Sequence, residues 1–383
     1  MRPLVSRRRL LQVGIGAAIA GCSSVRPASR DRFSIKGTSS RAFAVESFNS
    51  LAQAASRKGL LYGAASDYAM LSSDTRFAAR YLENCSILVP ENGLKWRALR
   101  PSLDQFDFTK TDWLFEFAAK HRLQMRGHTL VWHLSLPRWF SETVNQRNAE
   151  RYLVHHIESV AGRYAGKVHS WDVVNEAIEV PDDRPDGLRK SPWLEFLGEE
   201  YIDLAFRVAA QSDPNALQVY NDYGLQYDTS SHAAKRRAAL GLLERLKAKG
   251  TPIQAFGIQS HLRASETRFN AETLRRFLRD IASMGLKILI TELDVSDQGL
   301  PADIEKRDRL VADAYQTYLD VVLDEPAVIA VLTWGLSDRY TWLSEFKPRE
   351  DGLPVRPLPL DENLERKPAW YAIAQAFDNA PVR

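Results

Sequence analysis

Eight short apolar runs, separated by longer stretches with helical spacing, constrain the fold of this chain most strongly. Nearly continuous apolar runs suit parallel strands that are buried on both faces. Their alternation with helices over about 340 residues predicts one (β/α)8 TIM barrel, an α/β fold. An open doubly wound sheet is the alternative, but residues 63–70 contain no GxGxxG turn. The eight runs span residues 60–65, 86–89, 125–132, 170–176, 217–221, 255–259, 288–292 and 328–334.

The stretches between the runs carry apolar residues at the spacing of a helix with one buried face. Gly250 predicts the end of one such helix. The clearest patterns are Leu274-Phe277-Leu278-Ile281, Val311-Tyr315-Tyr318-Val322 and Leu240-Leu243-Leu246.

Residues 1–21 have the layout of a bacterial export signal. A basic start precedes the apolar run from Val13 to Ala20, which is too short to cross a membrane. The segment Ser6-Arg7-Arg8-Arg9-Leu10-Leu11 resembles a twin-arginine signal, and Ile19-Ala20-Gly21-Cys22 resembles a lipobox. We therefore predict export and lipidation of Cys22, with the protein anchored in the periplasm or at the outer membrane. Ordinary secretion is the alternative.

The rest of the chain is predicted to be a tether over residues 22–43 and one barrel domain over residues 44–383. Without residues 1–21 the chain has 47 Lys and Arg residues against 48 Asp and Glu residues, so we expect no nucleic-acid partner. If Cys22 carries lipid, Cys85 has no disulfide partner and is predicted to be a small core residue. We expect a monomer without a metal ion or cofactor.

Polar and aromatic side chains stand at or just beyond the ends of seven of the eight runs. In a (β/α)8 barrel the functional residues lie at the C-terminal ends of the strands, whereas a rim without function would be rich in Lys, Ser and Gly. The candidates are Glu91, Asn92, Lys95, His128, Trp132, Asn175, Glu176, Asn221, Tyr223, Gln259, His261, Glu292, Asp294, Trp334 and Trp342.

Two of these candidates, Glu176 and Glu292, suggest the chemistry. They end the fourth and seventh runs, which lie roughly opposite each other across an eight-stranded barrel. The chain has no nucleophile elbow, phosphate loop or HExxH motif. Paired carboxylates surrounded by indole rings are what glycoside hydrolysis requires, and a separation of about 5 Å would give retention of configuration.

The motifs at the strand ends resemble those of glycoside hydrolase family 10, the endo-1,4-β-xylanases. The likeness spans residues 60–375 and preserves the order of the motifs. The resembling segments are Glu91-Asn92 with Lys95-Trp96, His128 to His133, Trp171 to Glu176, Tyr220 to Tyr223, Gln259 to Leu262, Ile290 to Asp294, Trp334-Gly335 with Trp342, and Lys367 to Trp370.

The resemblance implies a role for each residue. Glu176 would be the general acid/base and Glu292 the nucleophile of a retaining enzyme. Asn175 would hold the sugar 2-hydroxyl at subsite −1, and His261, oriented by Asp294, would keep Glu292 ionised. The other implied roles are support of subsite −1 by Gln259 and substrate contacts by Glu91, Asn92, Lys95, His128, Trp132, Asn221, Tyr223, Trp334 and Trp342.

Four positions depart from the family pattern. Ser135 stands where the family usually has Gln, and Gly224 where it often has Asn. Arg97 and Arg100 replace acidic residues near the expected glycone rim, which predicts a preference for xylan with acidic substituents such as glucuronic acid. A solvated surface is the alternative interpretation of the two arginines.

Two other classes of protein fit the same motifs. One is a related retaining barrel glycosidase that acts on glucans or releases single sugars. The other is a carbohydrate-binding barrel without activity, although such a protein would typically lack one of the two carboxylates. The loops over residues 179–193 and 343–367 are expected to shape the ends of the cleft and so to decide between endo and exo action.

Overall fold

A computed structural model describes residues 49–383, and the predictions for residues 1–48, including the lipidation of Cys22, lie outside the described part. Nine strand segments form one sheet that closes on itself. Every pairing is parallel, as predicted. The segments are β1 (Leu61–Ser66), β2 (Ile87–Pro90), β3 (Gln124–Gly127), β4 (Ser170–Asn175), β5 (Leu217–Asp222), β6 (Ala255–Ile258), β7 (His261–Arg263), β8 (Lys287–Ser296) and β9 (Val328–Thr333).

The nine segments occupy eight positions around a barrel. Strand β1 pairs with β9, which closes the ring. Segments β6 and β7 both pair with β8, so they are two halves of the sixth strand. Between them Ser260 has φ 65°, a left-handed conformation that interrupts the strand. The predicted (β/α)8 barrel is confirmed.

Helices alternate with the strands around the outside of the barrel. The three predicted helical patterns fall in the helices Ser230–Ala248, Ala271–Ser283 and Ile304–Val322, and Gly250, with φ 67°, follows the end of the first. The helices are α1 (Leu51–Ser56), α2 (Tyr68–Ser73), α3 (Thr75–Asn84), α4 (Trp96–Leu99), α5 (Thr109–His121), α6 (Arg138–Thr143), α7 (Ala149–Arg163), α8 (Pro192–Leu197), α9 (Glu200–Ser212), α10 (Ser230–Ala248), α11 (Ala271–Ser283), α12 (Ile304–Val322), α13 (Leu343–Phe346) and α14 (Pro368–Asn379).

Capping residues explain where several helices begin. Thr229 precedes α10 and accepts a hydrogen bond from the backbone N–H of His232. Asn270 does the same for α11 through Thr273. Each cap satisfies one of the backbone donors that a helix leaves free at its start. These helices bury one apolar face against the strands, which keeps the strand ends at fixed positions.

The core has two layers, as expected for strands that are buried on both faces. The larger layer fills the space between the strands and the helices and includes Cys85, which is 3% exposed, so its predicted core position is confirmed. A smaller cluster fills the barrel interior below the rim. Its members are Ala65, Ile87, Val89, Val219, Ala255, Leu289, Ala330, Leu332 and Trp334.

Two predicted strand boundaries are wrong. The run 125–132 is not one strand, because β3 ends at Gly127 and the chain resumes its backbone hydrogen bonds to β4 at Leu130 and Val131, where Val131 forms a bridge with Val174. The run 288–292 is too short, because β8 continues to Ser296 by pairing with β7. Among residues 49–383, no helix is both long and apolar enough to cross a membrane.

Candidate active site

The two candidate carboxylates lie at the C-terminal rim of the barrel. Glu292 is inside β8 and is 5% exposed. Glu176 follows the last residue of β4 and is partly exposed. Its φ of 57° is left-handed, a conformation that costs a residue with a side chain about 1–2 kcal/mol. This turn out of the strand directs the Glu176 side chain to the rim.

Three amide side chains join the two carboxylates. Asn221 donates through Nδ2 to Oε1 of Glu292 at 2.8 Å and to Oδ1 of Asn175 at 3.0 Å. Gln259 donates to Oε1 of Glu176 at 3.0 Å and to the same Asn175 oxygen at 3.3 Å. Each carboxylate is therefore held by an amide, and both amides meet at Asn175.

The orientation of the Asn221 amide is fixed by its neighbours. Its Oδ1 accepts a hydrogen bond from the Thr291 hydroxyl at 2.7 Å, which leaves both N–H groups for Glu292 and Asn175. Gly257 makes room for this side chain, since a Cβ at residue 257 would collide with the Asn221 oxygen. The predicted substrate contact of Asn221 is wrong: the residue is fully buried and its amide is used within the protein.

The environments of the two carboxyl groups push their pKa values apart. Burial raises the pKa of Glu176, although the hydrogen bond from Gln259 opposes that rise. Burial would also raise the pKa of Glu292, but a hydrogen bond from His261 and the nearby charges of His128 and His261 lower it to about 2. Such a divergence separates a proton donor from an ionised group.

His261 lies between two carboxylates. Its Nδ1 is 3.0 Å from Oδ1 of Asp294, and its Nε2 is 3.4 Å from Oε2 of Glu292. Burial alone would lower the pKa of His261, yet the charge of Asp294 and the two carboxylate contacts raise it to about 10. The imidazole is therefore cationic at neutral pH. Asp294 also accepts a hydrogen bond from Nε1 of Trp342 at 2.8 Å.

A buried ionic cluster lies on the opposite side of Glu292. Asp172 accepts hydrogen bonds from both terminal nitrogens of Arg126, and its Oδ2 is 2.8 Å from Nδ1 of His128. The same imidazole nitrogen is 4.0 Å from Oε1 of Glu292. Arg126 and Asp172 are not among the predicted site residues because they are inside strands. A charged residue within an apolar run is nevertheless a signal that could have indicated them.

The candidates that follow β2 form a polar group at the rim. Lys95 donates to Oδ1 of Asn92 at 3.1 Å. Asp67, directly after β1, accepts hydrogen bonds from the Asn92 side chain at 2.9 Å and from its backbone at 3.1 Å. Burial, followed by the charge of Asp67, raises the pKa of Glu91 to about 7. Asp67 was missed, although the strand-end rule applied to β1 would have found it.

Two of the candidate indole rings lie beside this group, and the third, Trp342, lies against His261. The Lys95 ammonium is 5.2 Å from the ring centroid of Trp132 and 5.9 Å from that of Trp334. Trp334 is 6% exposed and meets the His128 ring edge-on at 5.1 Å. Trp132 and Trp342 are half-buried. The rings therefore present partly covered apolar surfaces beside the carboxylates.

Tyr223 follows the end of β5 and contacts residues outside the group around Lys95. Its hydroxyl donates to Oε2 of Glu179 at 2.7 Å and accepts from Arg189 at 2.9 Å. The Lys235 ammonium lies 3.4 Å from the centroid of its ring. Arg189 and Lys235 are not among the predicted site residues, because they stand far from any strand end in the sequence.

The four positions that depart from the family pattern differ in exposure and in backbone conformation. Arg97 is exposed, with its guanidinium 3.4 Å from the Leu136 carbonyl oxygen. Ser135 has φ 53°, and its carbonyl accepts the Arg97 N–H at 2.8 Å. Gly224 has φ 71°, a conformation that glycine adopts freely and asparagine tolerates, so Gly and Asn are both suitable there.

The prediction that Arg100 lies at the glycone rim is wrong. Arg100 is 1% exposed, and its guanidinium donates to the Leu103 carbonyl at 2.7 Å. Four aromatic rings surround it within 5.7 Å, because a weakly hydrated planar cation is favoured over ring faces. The rings belong to Trp96, Phe106, Trp139 and Tyr152.

Paired carboxylates with divergent pKa values, joined by shared amides at the C-terminal rim of a (β/α)8 barrel, define a glycoside hydrolase. Within residues 49–383, no group of three or more His, Cys, Asp and Glu side chains is arranged to hold a metal ion. The profile of glycosyl hydrolase family 10 matches residues 50–376, and the chain belongs to that family.

Individual relatives extend over most of the chain. The Beta-1,4-xylanase of Dictyoglomus thermophilum is 35% identical over 298 residues, covering 75% of this chain and 81% of that protein. A protein of Acetivibrio thermocellus named Exoglucanase XynX is 33% identical over 335 residues, covering 83% of this chain and 29% of that protein. The crystal structure of native xylanase 10B from Thermotoga maritima has a TM-score of 0.78 at 33% identity, covering 86% of this chain and 98% of that one.

Proposed function

We propose that this protein is a retaining endo-1,4-β-xylanase that cleaves xylan or xylo-oligosaccharides by double displacement. The observation that carries the proposal is the pair Glu176 and Glu292, two carboxyl groups with opposite pKa shifts that are linked through Asn175 and Asn221. The names of the xylanases from Dictyoglomus and Thermotoga support xylan as the substrate.

In the first step Glu292 attacks the anomeric carbon of the sugar at subsite −1. The glycosidic C–O bond breaks, its electron pair goes to the leaving oxygen, and Glu176 gives that oxygen a proton. The product is a sugar esterified to Glu292. The low pKa of Glu292, about 2, keeps the attacking carboxylate ionised at neutral pH.

In the second step Glu176 changes from acid to base. The negative charge of Glu292 contributes to the raised pKa of Glu176, and esterification removes that charge. The pKa of Glu176 therefore falls when a base is needed. Glu176 then takes a proton from water, the water oxygen attacks the anomeric carbon, and the bond to Glu292 breaks. Two inversions give net retention.

We propose for the surrounding residues the roles that the family resemblance implies. Asn175 would hold the sugar 2-hydroxyl and Gln259 would support subsite −1, while His261 and Asp294 keep the nucleophile ionised. The glycone side would be lined by Glu91, Asn92, Lys95, His128 and Trp132, the aromatic wall by Trp334 and Trp342, and the leaving-group side by Tyr223.

An assay of reducing sugar release from xylan and from carboxymethylcellulose, beside hydrolysis of an aryl β-xyloside, tests the substrate. The Acetivibrio relative with the name of an exoglucanase makes a glucanase the second candidate. We expect rapid shortening of xylan and little release from carboxymethylcellulose, whereas the opposite order would establish the glucanase. Proton NMR of the first product should show the β-anomer, and an α-anomer would exclude retention.

We also propose that residues 1–21 direct export and that Cys22 carries lipid, which places a monomeric enzyme at a bacterial membrane. The supporting pattern is the double arginine, the apolar run and the small residues before Cys22. Membrane fractionation and mass spectrometry of the N-terminal peptide test this proposal. Cys22→Ser should release activity into the soluble fraction, and unchanged membrane association would contradict lipidation. Light scattering of the domain should give the mass of a monomer.

A further inference from the structure

The backbone of Glu176 is held from both sides by hydrogen bonds. Its N–H donates to the Asn221 carbonyl at 2.9 Å, and its own carbonyl accepts from Nε of Arg189 at 2.8 Å. The second contact comes from a loop thirteen residues further along the chain. Since the left-handed conformation of Glu176 is unfavourable by itself, these contacts are needed to hold it.

Arg189 is in turn fixed by a closed set of contacts. Its Nη2 donates to Oε2 of Glu179 at 2.6 Å and to the Tyr223 hydroxyl at 2.9 Å, and that hydroxyl donates to the same Glu179 oxygen at 2.7 Å. Its backbone N–H donates to the Ala177 carbonyl at 2.7 Å. The Arg189 side chain is 13% exposed, so the guanidinium has little freedom to leave this position.

A second ion pair, formed by Lys235 and Asp222, lies against the ring of Tyr223. The Lys235 ammonium lies 3.4 Å from the ring centroid and 2.8 Å from Oδ1 of Asp222. The same Asp222 oxygen accepts the Tyr223 N–H at 2.8 Å. Tyr223 is therefore held at its hydroxyl, its ring and its backbone. Two cations and two carboxylates balance each other, so the group adds no net formal charge beside Glu176.

We infer that Arg189 is a positioning residue, which holds the backbone of Glu176 so that its carboxyl can protonate the leaving oxygen. The inference rests on the proposed glycosidase mechanism. It concerns the acid and not the nucleophile, because Arg189 hydrogen-bonds the backbone of Glu176, whereas the Glu292 carboxylate is held by the side chains of Asn221 and His261. A change in Arg189 should thus impair proton donation selectively.

Leaving groups of different basicity test this selectivity. An aryl xylobioside with a 2,4-dinitrophenol leaving group needs little protonation, whereas xylan and weakly activated aryl xylobiosides need a correctly placed acid. For Arg189→Met we expect kcat/KM to fall about 10–100-fold on the poor leaving groups and by no more than about 3-fold on the dinitrophenyl substrate. The ratio kcat/KM is the suitable readout because it includes only steps up to glycosylation.

The dinitrophenyl substrate also reports on folding, since an unfolded variant would hydrolyse neither substrate. Glu179→Gln, which removes the charge that fixes Arg189 and preserves side-chain size, should show the same selectivity with a smaller loss. Arg184→Met is the matched control in the same loop, because Arg184 pairs with Asp186 and is 36% exposed. This control should leave both substrates unaffected.

Equal losses of kcat/KM on both leaving groups would overturn the inference. Unchanged kcat/KM in both Arg189→Met and Glu179→Gln would overturn it as well. Equal losses would mean that the guanidinium only supports the fold. If Arg189→Met does not fold, Glu179→Gln decides by the same comparison. A wild-type protein that cleaves none of the xylosides would instead refute the proposed function, so the two failures are distinguishable.

Discussion

The Nε2 atom of His261 lies 3.4 Å from Oε2 of Glu292, although 31 positions separate the residues in sequence. The pairing of β7 with β8 produces this contact, since it places His261 opposite Asp294 in the register. The left-handed conformation of Ser260 allows the sixth strand to restart at His261. One interrupted strand thus supplies the cation that keeps the nucleophile ionised.

Replacing the nucleophile should abolish turnover without unfolding the protein. For Glu292→Ala we expect kcat on xylan to fall at least about 10⁴-fold, because removal of a nucleophile leaves only binding and orientation. The fold should persist, because His261 still contacts Asp294 and Asn221 still donates a hydrogen bond to Asn175. Activity and circular dichroism check this, and wild-type turnover in the variant would refute the assignment.

The raised pKa of His261 predicts a pH dependence of stability. Its pKa rises from 6.5 to about 10 on folding, so the stabilisation is complete below pH 6.5 and is lost as the pH rises towards 10. The melting temperature of the wild type should therefore fall more between pH 6.5 and 10 than that of His261→Gln. Parallel curves for the two proteins would show that His261 does not contribute.

The hydrogen bond from Gln259 should set the alkaline limb of activity. Glu176 must be protonated for the first step, so kcat/KM falls as the pH rises through its pKa. Gln259 favours the ionised form and opposes the rise in that pKa. Gln259→Leu should therefore move the alkaline limb to higher pH, while Gln316→Leu, a buried control in α12, should not. A limb that stays or moves to lower pH would contradict this account.

Arg97 should favour xylan with acidic substituents. Its exposed guanidinium is available to a glucuronic acid side chain, and an exposed ion pair contributes about 0.2–1 kcal/mol. We expect Arg97→Ala to lower kcat/KM on glucuronoxylan about 1.5–5-fold and to leave neutral arabinoxylan unchanged. The control Arg138→Ala removes an arginine that pairs with Glu142 and is 93% exposed. Equal effects of Arg97→Ala on both substrates would favour a solvated surface.

Arg100 should affect stability and not substrate choice. Its side chain fills a space between four rings, and Arg100→Ala would leave a cavity there. We expect the free energy of unfolding to fall by about 2–4 kcal/mol, with the ratio of activities on the two xylans unchanged. Denaturant unfolding measures the loss. A changed ratio of activities on the two xylans, with an unchanged free energy of unfolding, would show that Arg100 contributes to substrate binding at the rim.

Much of the site could be predicted because parallel strands bring their C-terminal ends to one rim. Glu176, Gln259 and His261 were found by that rule alone, and Asp67 would have been found by it. Arg189 could not be found in this way, since it stands in a loop whose path no local pattern reveals. Arg100 was misplaced because a charged residue in a helix cap gives no local sign that aromatic rings enclose it.

The sequence by itself determined the alternation of strands and helices and the polar residues that end each strand, because both depend on spacing along the chain. The tertiary structure alone decided which amides join Glu176 to Glu292, and how far their pKa values diverge. It also decided that the Asn221 amide donates its hydrogen bonds to Asn175 and Glu292 and not to the substrate. These properties depend on distances of a few ångströms between segments remote in sequence, which only the closed barrel fixes.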